Sequence, residues 1–352
     1  MTRRRILIFG DFRPGRLAAS YECAFRELGH EVFQFDAPRA AVQLAWPARN
    51  RILHRASIRS MSLRRRWSQQ FNRTLVNCCQ SAGADWVFIT NGEWLMPETV
   101  CALKAGGARV AIFHADNPFP PHYNNRPETL ALAREADLYL VWSEKLVRKL
   151  YEIGVRSQFL SFGWDQNVFP FQGGTPQGSW PGVVFIGGWD REREVFMEEV
   201  AVHVPLRIYG PAYWGTRTRR NGRARVCWQG CALEMSDAAR VVRESAVCLN
   251  VLRTQHRVDG DFDGVIMRHF EVPGAGGFLL STRSGVATRL FPEGATGAYF
   301  GTVQECIEAC KYYLRCQDER HSRVAAAHRE VASGHTYTQR AREVEKMLLG
   351  LG

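Results

Sequence analysis

The chain has 352 residues, of which 45% are hydrophobic and 23% charged, and its formal net charge is +11. These proportions are typical of a globular protein, and the absence of any apolar run of ~18 residues excludes a membrane-spanning helix. The length exceeds what one ordinary core accommodates and predicts two domains.

Two features bear on where the protein works. The ten cysteines have no regular spacing, so they do not indicate a disulfide framework. The N-terminal run of three arginines is followed by ILIFG, which is too short an apolar core for a signal peptide. We therefore expect a cytoplasmic protein with reduced thiols, and leave open a peripheral position at the inner face of the membrane.

Arginine supplies most of the positive charge, since the chain has only five lysines. Arginines cluster at Arg3–Arg5, Arg64–Arg66 and Arg217–Arg225. Such a surface attracts nucleic acid, anionic lipid or phosphorylated ligands. A GC-rich genome that uses arginine wherever a cation is tolerated would give the same composition.

The first half of the chain alternates strand-like and helix-like segments. Amphipathic segments at 17–29, 60–82, 126–136 and 144–153 are predicted helices. They separate predicted strands at 5–10, 31–36, 85–90, 109–116, 138–143 and 158–163. This alternation predicts a parallel, doubly wound sheet. Residues 169–182, rich in Gly, Pro and Ser, form the predicted linker.

The second half resumes the alternation. Predicted strands lie at 183–188, 206–210, 224–230 and 247–252, and predicted helices at 191–203, 236–246 and from 302 to the end. We therefore expect an α/β protein of two Rossmann-like domains, 1–168 and 183–335, that face a central cleft. Open α/β sheets bind ligands beyond the carboxyl ends of their strands, so the cleft is the expected site.

The stretch VIMRHFEVPGAGGFLLST, residues 265–282, combines charge with glycine-rich backbone. Its first part, 265–271, reads as a helix in which Arg268 and Glu271 share a face. Pro273 and the glycines after it are predicted to end that helix, and 278–282 is a predicted buried strand. A capped helix with a surface ion pair is the plain alternative to a site for a charged ligand.

Several segments together resemble a known enzyme family. They are HADNPF (114–119), ADLYLVWSEKLVRKLYEIGV (136–155), FIGGWDRERE (185–194), RHFEVPGAGGFLLST (268–282), LFPEGATGAYF (290–300) and HTYTQRAREVEKML (335–348). In this order they are similar to the CgeB-like glycosyltransferases, which have the GT-B architecture and a second domain of the group 1 type. The resemblance implies transfer of a sugar from a nucleotide-diphosphate donor, UDP- or dTDP-linked, with no metal or other cofactor. It also implies that residues 336–352 form a helix crossing back to the first domain.

The resemblance implies a donor site in the second domain. Arg193, in the helix after Gly187 and Gly188, matches the arginine that faces the pyrophosphate. Glu271 matches the acid that binds the ribose hydroxyls, while Asp263 stands where the family usually has glutamate, which puts its sugar contact in doubt. Arg268 contacts phosphate or pairs with Glu271. Gly274, Gly276 and Gly277 would let backbone approach the phosphates closely.

The base of the nucleotide is expected against loops that follow the strands of the second domain. The loops YGPAYWG and WQGCA are the candidates, and their aromatic residues could equally belong to the core. Tyr209, Gly210 and Gly230 lie in these loops. Asn250 and Arg253, at the end of the next strand, point to the same cleft if that strand is parallel to its neighbours.

The acceptor side is expected in the first domain. Asp116 or His114, which end a predicted strand, could take the proton of the acceptor hydroxyl if the enzyme inverts configuration. If it retains configuration, they would hold sugar hydroxyls with Asn117. Further candidates follow other strands: Gly10, Asp11 and Arg13 after the first, and Asn91 with Glu93 after another. The acceptor is expected to be a glycan, a glycoprotein or another envelope component.

Other interpretations compete with this one. DGDFDG (259–264) begins like a calcium loop, but Phe270 stands where that loop needs its twelfth ligand. VFIGGWD lacks the third glycine of an NAD-binding fingerprint. An epimerase of the same fold, a catalytically silent binding partner, and a nucleic-acid-binding or DNA-modifying protein that uses the arginine clusters remain alternatives.

Overall fold

The computed structural model describes residues 2–44, 61–119, 128–172 and 180–351. The chain divides into two compact units, one of Met1–Leu160 with Thr338–Gly352 and the other of Ser161–Tyr337. Half of the predicted linker, residues 173–179, lies outside the described residues. Among the described residues, no helix is long and apolar enough to cross a membrane.

The first unit is built on a six-stranded parallel sheet. Its strands are β1 (Arg5–Gly10), β2 (Glu31–Asp36), β3 (Trp86–Thr90), β4 (Arg109–His114), β5 (Leu138–Val141) and β6 (Ser157–Phe159). They lie in the order β2-β1-β3-β4-β5-β6. All six strands predicted in the first half of the chain are therefore present. The central strands are apolar along their whole length because both faces of the sheet are covered.

Helices connect these strands, as the alternation predicts. They are α1 (Leu17–Glu27), α2 (Ala37–Leu44), α3 (Met61–Ala82), α4 (Pro97–Ala105), α5 (Glu128–Glu135) and α6 (Glu144–Glu152). Large aromatic side chains fill the core between the sheet and the helices. Phe25, Phe71, Phe88 and Phe113 are each almost fully buried there.

The second unit contains a five-stranded parallel sheet and a small hairpin. Its strands are β7 (Trp180–Ile186), β8 (Leu206–Tyr209), β9 (Ser245–Asn250), β10 (Arg257–Val258), β11 (Asp261–Phe262), β12 (Leu279–Thr282) and β13 (Ala298–Phe300). The sheet order is β13-β12-β9-β7-β8, and β10 pairs with β11 in an antiparallel hairpin. Two parallel α/β sheets in one chain confirm the predicted fold class.

The helices of this unit are mostly short. They are α7 (Arg191–His203), α8 (Tyr213–Thr216), α9 (Arg223–Cys227), α10 (Met235–Glu244), α11 (Arg268–Ala275), α12 (Gly285–Leu290), α13 (Val303–Arg315) and α14 (Gln317–Gly334). The last helix of the chain, α15 (Tyr337–Leu349), packs on the first unit. There Thr338 donates a hydrogen bond to Glu27 at 2.5 Å, and the Arg109 guanidinium donates one to the Leu348 carbonyl.

The strand predicted at 224–230 is wrong. Residues Arg223–Cys227 form the short helix α9, and only Trp228 makes a single bridge to Ile208 at the sheet edge. The cause lies in another element, because the Glu198 carboxylate on α7 accepts hydrogen bonds from the backbone N–H groups of Arg223 (2.7 Å) and Ala224 (3.0 Å). These bonds satisfy the first amides of a helical turn.

The helix predicted at 265–271 is displaced towards the C-terminus. Helix α11 spans Arg268–Ala275 with Pro273 inside it, and Gly276 ends it in the left-handed conformation at φ +89°. The N–H of Gly276 donates to the Pro273 carbonyl and that of Gly277 donates to the Val272 carbonyl. This is a helix stop of the type that favours glycine, so Gly276 rather than Pro273 ends the helix.

Candidate functional site

The order of the strands in the second unit locates a ligand-binding edge. The chain runs from β7 to β8 on one side and then to β9 on the other side of β7. The carboxyl ends of β7 and β9 therefore flank a topological switch point, where open α/β sheets bind their ligands. Gly187 and Gly188 follow β7, and Arg253 follows β9 within three residues. The predicted donor residues on these two strands thus come together.

Arg193 is buried at this switch point. Its guanidinium donates to the Val251 carbonyl from Nε at 2.9 Å and to the Gly188 carbonyl from Nη1 at 3.1 Å. Burial lowers its pKa to about 9, and the neighbouring Arg253 contributes to the shift. The side chain is only 6% exposed, so it acts as a fixed charge that ties the loop after β7 to the loop after β9.

Arg253 lies directly beside the loop after β7. Its Nε is 3.5 Å from Asp190, and the same carboxylate caps α7 by accepting from the Arg193 N–H at 2.9 Å. About a quarter of the Arg253 side chain is exposed. It therefore offers a partly desolvated cation to a ligand at this edge.

Arg268 and Glu271 form an ion pair on the first turn of α11. Arg268 Nη1 lies 2.5 Å from Glu271 Oε2, and the Glu271 carboxylate is largely buried while Arg268 is about a quarter exposed. Arg268 is also close enough to contribute to the lowered pKa of Arg193. Of the two predicted roles of Arg268, the pairing with Glu271 is present, and contact with phosphate stays a prediction.

The structure requires glycine at Gly274, Gly276 and Gly277 for reasons unrelated to a ligand. A Cβ at Gly274 would overlap the indole of Trp164, and one at Gly277 would overlap Val242. Gly276 supplies the positive φ of the helix stop. All three lie at the C-terminal end of α11, which carries negative partial charge and disfavours phosphate. Their expected approach to the phosphates therefore stays a prediction without support from this geometry.

The loop after β8 is anchored by two tryptophans. Trp214 is fully buried and donates from Nε1 to the Gly187 carbonyl at 2.9 Å, and Trp228 donates to the Gly210 carbonyl at 3.0 Å. A Cβ at Gly210 would overlap the Gly187 carbonyl. Trp214 is thus a core residue, as the alternative interpretation allowed. The other two candidates are more open: Tyr209 is half-buried and Gly230, at φ +83°, is exposed.

Asn250 belongs to a buried hydrogen-bond network. It donates to Ser281 Oγ at 2.9 Å, and that hydroxyl lies 3.1 Å from Nε2 of His269. His269 is fully buried, and burial lowers its pKa to about 4. The network joins the ends of β9 and β12 to α11. Asn250 therefore helps to fix the ends of β9 and β12 against α11, and it does so as a buried residue.

The DGDFDG segment forms the hairpin of β10 and β11. Asp259 and Gly260 are its two turn residues, and both have positive φ, 52° and 85°. Asp-Gly is the preferred pair for such a turn. Asp263, which follows β11, accepts the N–H of Val286 on its backbone carbonyl at 2.7 Å. In the part of the chain that is described, no three acidic, His or Cys side chains are grouped to hold a metal ion.

The first unit has its own switch point. The chain passes from β1 to β2 on one side and to β3 on the other, so Gly10 and Asn91 meet at its edge. A Cβ at Gly10 would overlap Thr90, which explains the glycine. Arg13 donates to Asp11 at 2.5 Å and holds the pKa of that carboxyl below its usual value. Asp11 is therefore a poor candidate for a base.

The other acceptor-side candidates share one pocket. Asn91, Glu93, His114 and Asp116 line it. Asn91 has φ 62°, and its Oδ1 accepts the N–H of Ala115 at 2.8 Å, which joins the loop after β3 to the end of β4.

His114 is held at the base of this pocket. It is almost fully buried, its Nδ1 lies 3.3 Å from the Asn91 carbonyl, and its ring stacks on Tyr139 with centroids 5.8 Å apart. Asn117 instead turns its side chain onto the Phe119 N–H at 3.0 Å. Asn117 therefore stabilises the turn after β4, and its contact with the acceptor stays a prediction.

Comparison with known proteins identifies the type of enzyme. Residues 191–346 match the family described as "Glycosyl transferase-like". This segment begins with α7 and contains Arg193, Arg253, Arg268 and Glu271. No curated protein sequence matches the chain significantly.

Solved structures show the fold of the whole chain. A sucrose-phosphate synthase from Thermosynechococcus elongatus matches with a TM-score of 0.67 at 12% identity over 99% of each chain. A glycosyltransferase from Rickettsia africae ESF-5 matches with a TM-score of 0.67 at 11% identity over 99% of each chain. Anabaena HepE, in complex with UDP and glucose, matches with a TM-score of 0.63 at 11% identity over 98% of this chain and 99% of its own. The chain is a GT-B glycosyltransferase.

Some residues that build the candidate site were not predicted as site residues. Asp190 caps α7 and also lies between Arg193 and Arg253. Ser281 and His269 escaped notice because their apolar neighbours indicate an ordinary core. Trp214 lies in the loop YGPAYWG, which begins at Tyr209 and was a candidate for contact with the base. Only the folded structure shows that its indole donates a hydrogen bond to the Gly187 carbonyl.

Proposed function

We propose that this glycosyltransferase uses a UDP- or dTDP-linked sugar bound by the second unit, at the ends of β7 and β9 and the start of α11. The observation that carries this proposal is the convergence of Arg193, Arg253 and Arg268 at the switch point, inside the segment that matches the family. A uridine nucleotide is favoured because Anabaena HepE has been solved with UDP and with UDP-glucose. Within the wider family, the motifs favour the CgeB-like group.

The three arginines would stabilise the leaving diphosphate. When the bond from the anomeric carbon to the phosphate oxygen breaks, the electron pair goes to that oxygen and negative charge grows on the phosphate. Arg253 and Arg268 are partly exposed and would contact the phosphates directly. Arg193 is bound to backbone carbonyls and would add a fixed positive potential from below. The N-terminus of α11 would add its own partial charge.

Glu271 would change partners when the donor binds. Its carboxylate is paired with Arg268 at 2.5 Å. A phosphate near Arg268 competes for that guanidinium, and the released carboxylate can then accept two ribose hydroxyls. A buried carboxylate gains from such donors because it loses little solvation on binding. The ion pair is thus the resting form of the proposed donor clamp.

The acceptor would bind mainly in the pocket of the first unit, where His114 and Asp116 are the proposed groups for the acceptor hydroxyl. We propose a glycan, a glycoprotein or another envelope component as acceptor. We keep the division into domains 1–168 and 183–335, with 169–182 as linker and 336–352 as a helix that crosses back to the first domain. Transfer is proposed to need no metal ion. The comparisons give no support to the epimerase or the nucleic-acid alternative.

A ligand screen on matched variants tests the donor site. The melting temperature of the wild type is measured with UDP, dTDP, GDP, ADP and their sugar conjugates, with and without EDTA. The same screen is run on Glu271→Ala and on Glu293→Ala. Glu293 is the control because it also pairs with an arginine, Arg283 at 2.6 Å, but is about half exposed.

We expect a uridine or thymidine diphosphate to raise the melting temperature of the wild type and of Glu293→Ala, with no effect of EDTA. A ligand that binds only the folded state must stabilise it in this way. Glu271→Ala should lose the shift while remaining folded. An equal shift in Glu271→Ala would contradict the assignment of Glu271, and no shift with any nucleotide in the wild type would contradict the donor proposal.

A further inference from the structure

A cluster of exposed arginines follows β8, which we call the arginine platform. It comprises Arg217, Arg219, Arg220, Arg223 and Arg225. The surrounding stretch from Pro211 to Leu233 contains no acidic residue. All five arginines are exposed. Among the described residues, none of the five forms an ion pair.

The N-terminal arginine cluster is partly neutralised within the protein. Arg3 and Arg5 lie 3.5 Å and 3.9 Å from the carboxylate of Glu31. Arg4 lies over the ring of Trp86 at 5.6 Å. Arg65 and Arg66 are also exposed, but the platform brings together five exposed arginines in a stretch without acidic residues, which makes it the larger concentration of positive charge. The platform is therefore the part of the basic surface where we expect an anionic partner to bind.

The fold holds the backbone of the platform in place. Glu194 on α7, which is almost fully buried, accepts the N–H of Arg219 at 3.1 Å, and Glu198 accepts those of Arg223 and Ala224. A Cβ at Gly222 would overlap the Glu198 carboxylate, so the backbone approaches α7 closely there. Glu194 and Glu198 thus bind the backbone of the loop, while the side chains of the five arginines are exposed.

Two exposed apolar side chains stand among the arginines. Val226 is 80% exposed on α9, and Tyr213 is 52% exposed with the Arg217 guanidinium 4.2 Å from its ring centroid. An aliphatic and an aromatic side chain beside arginines fit the boundary between lipid headgroups and acyl chains. Nucleic acid would use the cations and the ring but gains nothing from an exposed valine. The combination therefore favours a membrane surface.

We propose that the arginine platform docks the enzyme on anionic phospholipid, with the arginines on headgroup phosphates and Val226 in the interface. None of the five arginines is among the residues proposed to bind the donor. Vesicle binding and nucleotide binding are measured separately, so the failure of one proposal is distinguishable from the failure of the other. Docking would bring the enzyme to lipid-linked or envelope acceptors without a membrane-spanning helix.

Vesicle co-sedimentation tests the platform. The full chain is mixed with vesicles of phosphatidylcholine alone or with added phosphatidylglycerol, at low and at raised salt. The platform variant is Arg219→Ala/Arg220→Ala/Arg223→Ala. The control, Arg240→Ala/Arg315→Ala/Arg329→Ala, removes three other exposed arginines of the same unit. Val226→Gln tests the apolar contact, and the melting temperature without ligand reports whether each variant is folded.

We expect the wild type and the control to sediment with vesicles that contain phosphatidylglycerol and to be released from them by raised salt. Neither should sediment with vesicles of pure phosphatidylcholine. The platform variant should bind more weakly by a factor on the order of 100, since each arginine near an anionic surface contributes about 1 kcal/mol. Val226→Gln should bind more weakly than the wild type. Equal binding of both triple variants, or no binding by the wild type, overturns the proposal. Tighter binding to duplex DNA that vesicles cannot displace would also overturn it.

Discussion

The guanidinium of Arg253 occupies the space that a side chain at Gly188 would need. An ideal Cβ on Gly188 would lie 2.0 Å from Arg253 Nη2, and the next atom of that guanidinium would be at 3.2 Å. The two residues follow neighbouring strands, so the glycine after β7 sets the position of the arginine after β9. If Arg253 contacts the donor phosphates, Gly188 controls donor affinity without touching the donor.

Gly188→Ala should therefore weaken nucleotide binding while the fold is retained. The displaced atom is the far end of a flexible side chain, so the free energy of unfolding should change by no more than about 1 kcal/mol. The loss of one charge-assisted hydrogen bond should raise the Kd for UDP by about tenfold or more. Isothermal titration calorimetry measures this Kd. In an Arg253→Ala background, Gly188→Ala should have no further effect on the Kd.

Gly210→Ala is the matched control for this variant. Its Cβ would lie 2.2 Å from the Gly187 carbonyl, which is backbone and cannot move aside. This variant should lose stability as well as affinity. If Gly188→Ala is destabilised to the same degree, the flexible-arginine explanation is wrong.

Trp214 should stabilise the second unit through its indole N–H as well as its bulk. Trp214→Phe keeps most of the buried surface but removes the donor to the Gly187 carbonyl at 2.9 Å. We expect a loss of about 1–3 kcal/mol in the free energy of unfolding, measured by urea denaturation. Trp228→Phe removes a similar bond at a half-buried side chain and should cost less. The reverse ranking would contradict the role given to Trp214.

Stability should decrease in mild acid because of His269. Burial lowers its pKa to about 4, while in the unfolded chain the pKa is about 6.5. The unfolded state thus binds a proton first as pH falls, so the stabilisation is complete above pH ~6.5 and is lost between there and pH ~4. The largest effect of such a shift is about 3 kcal/mol. Urea denaturation of the wild type and His269→Gln across this window should show the smaller pH dependence in the variant.

The first unit offers a separate test at Asn91. Asn91→Ala removes the hydrogen bond from the Ala115 N–H. It also places alanine at φ 62°, a left-handed conformation that asparagine tolerates better than alanine does. His114 should lose its fixed position, so kcat for sugar transfer should fall by about tenfold or more. The Kd for UDP should not change, because the proposed donor residues lie in the second unit. Asn91→Gly relieves the strain but not the lost bond, and should still lower kcat.

The strands could be predicted from the sequence because their cause is local. A parallel strand covered on both faces must be apolar throughout, so ILIF and WVFI are visible without any tertiary information. The same holds for the cap at Asp190, whose partner is three residues away. The Asp259–Gly260 hairpin is equally local, since Asp-Gly is itself a turn signal, but the acids at alternate positions also resemble a calcium loop.

What the sequence could not provide depends on contacts between distant elements. Helix α9 exists because Glu198, on another helix, binds its first amides. Arg193 was expected to face the pyrophosphate, and nothing in the sequence indicates that two backbone carbonyls hold its guanidinium. One of them, at Val251, becomes a neighbour only when β9 pairs with β7. Side-chain partners of this kind cannot be derived from spacing along the chain.

Gly276 gives the last prediction, which concerns the stop of α11. Its φ of +89° is in the region that L side chains rarely adopt, so Gly276→Ala should cost about 1–2 kcal/mol in the free energy of unfolding. The matched control is Gly334→Ala at the end of α14, where no positive φ occurs and an added Cβ meets nothing within 4 Å. That variant should be neutral or slightly stabilising. Because α11 carries Arg268 and Glu271, Gly276→Ala should also weaken UDP binding, whereas Gly334→Ala should not. Equal stability of the two variants in urea denaturation would show that the left-handed stop is not needed to hold α11.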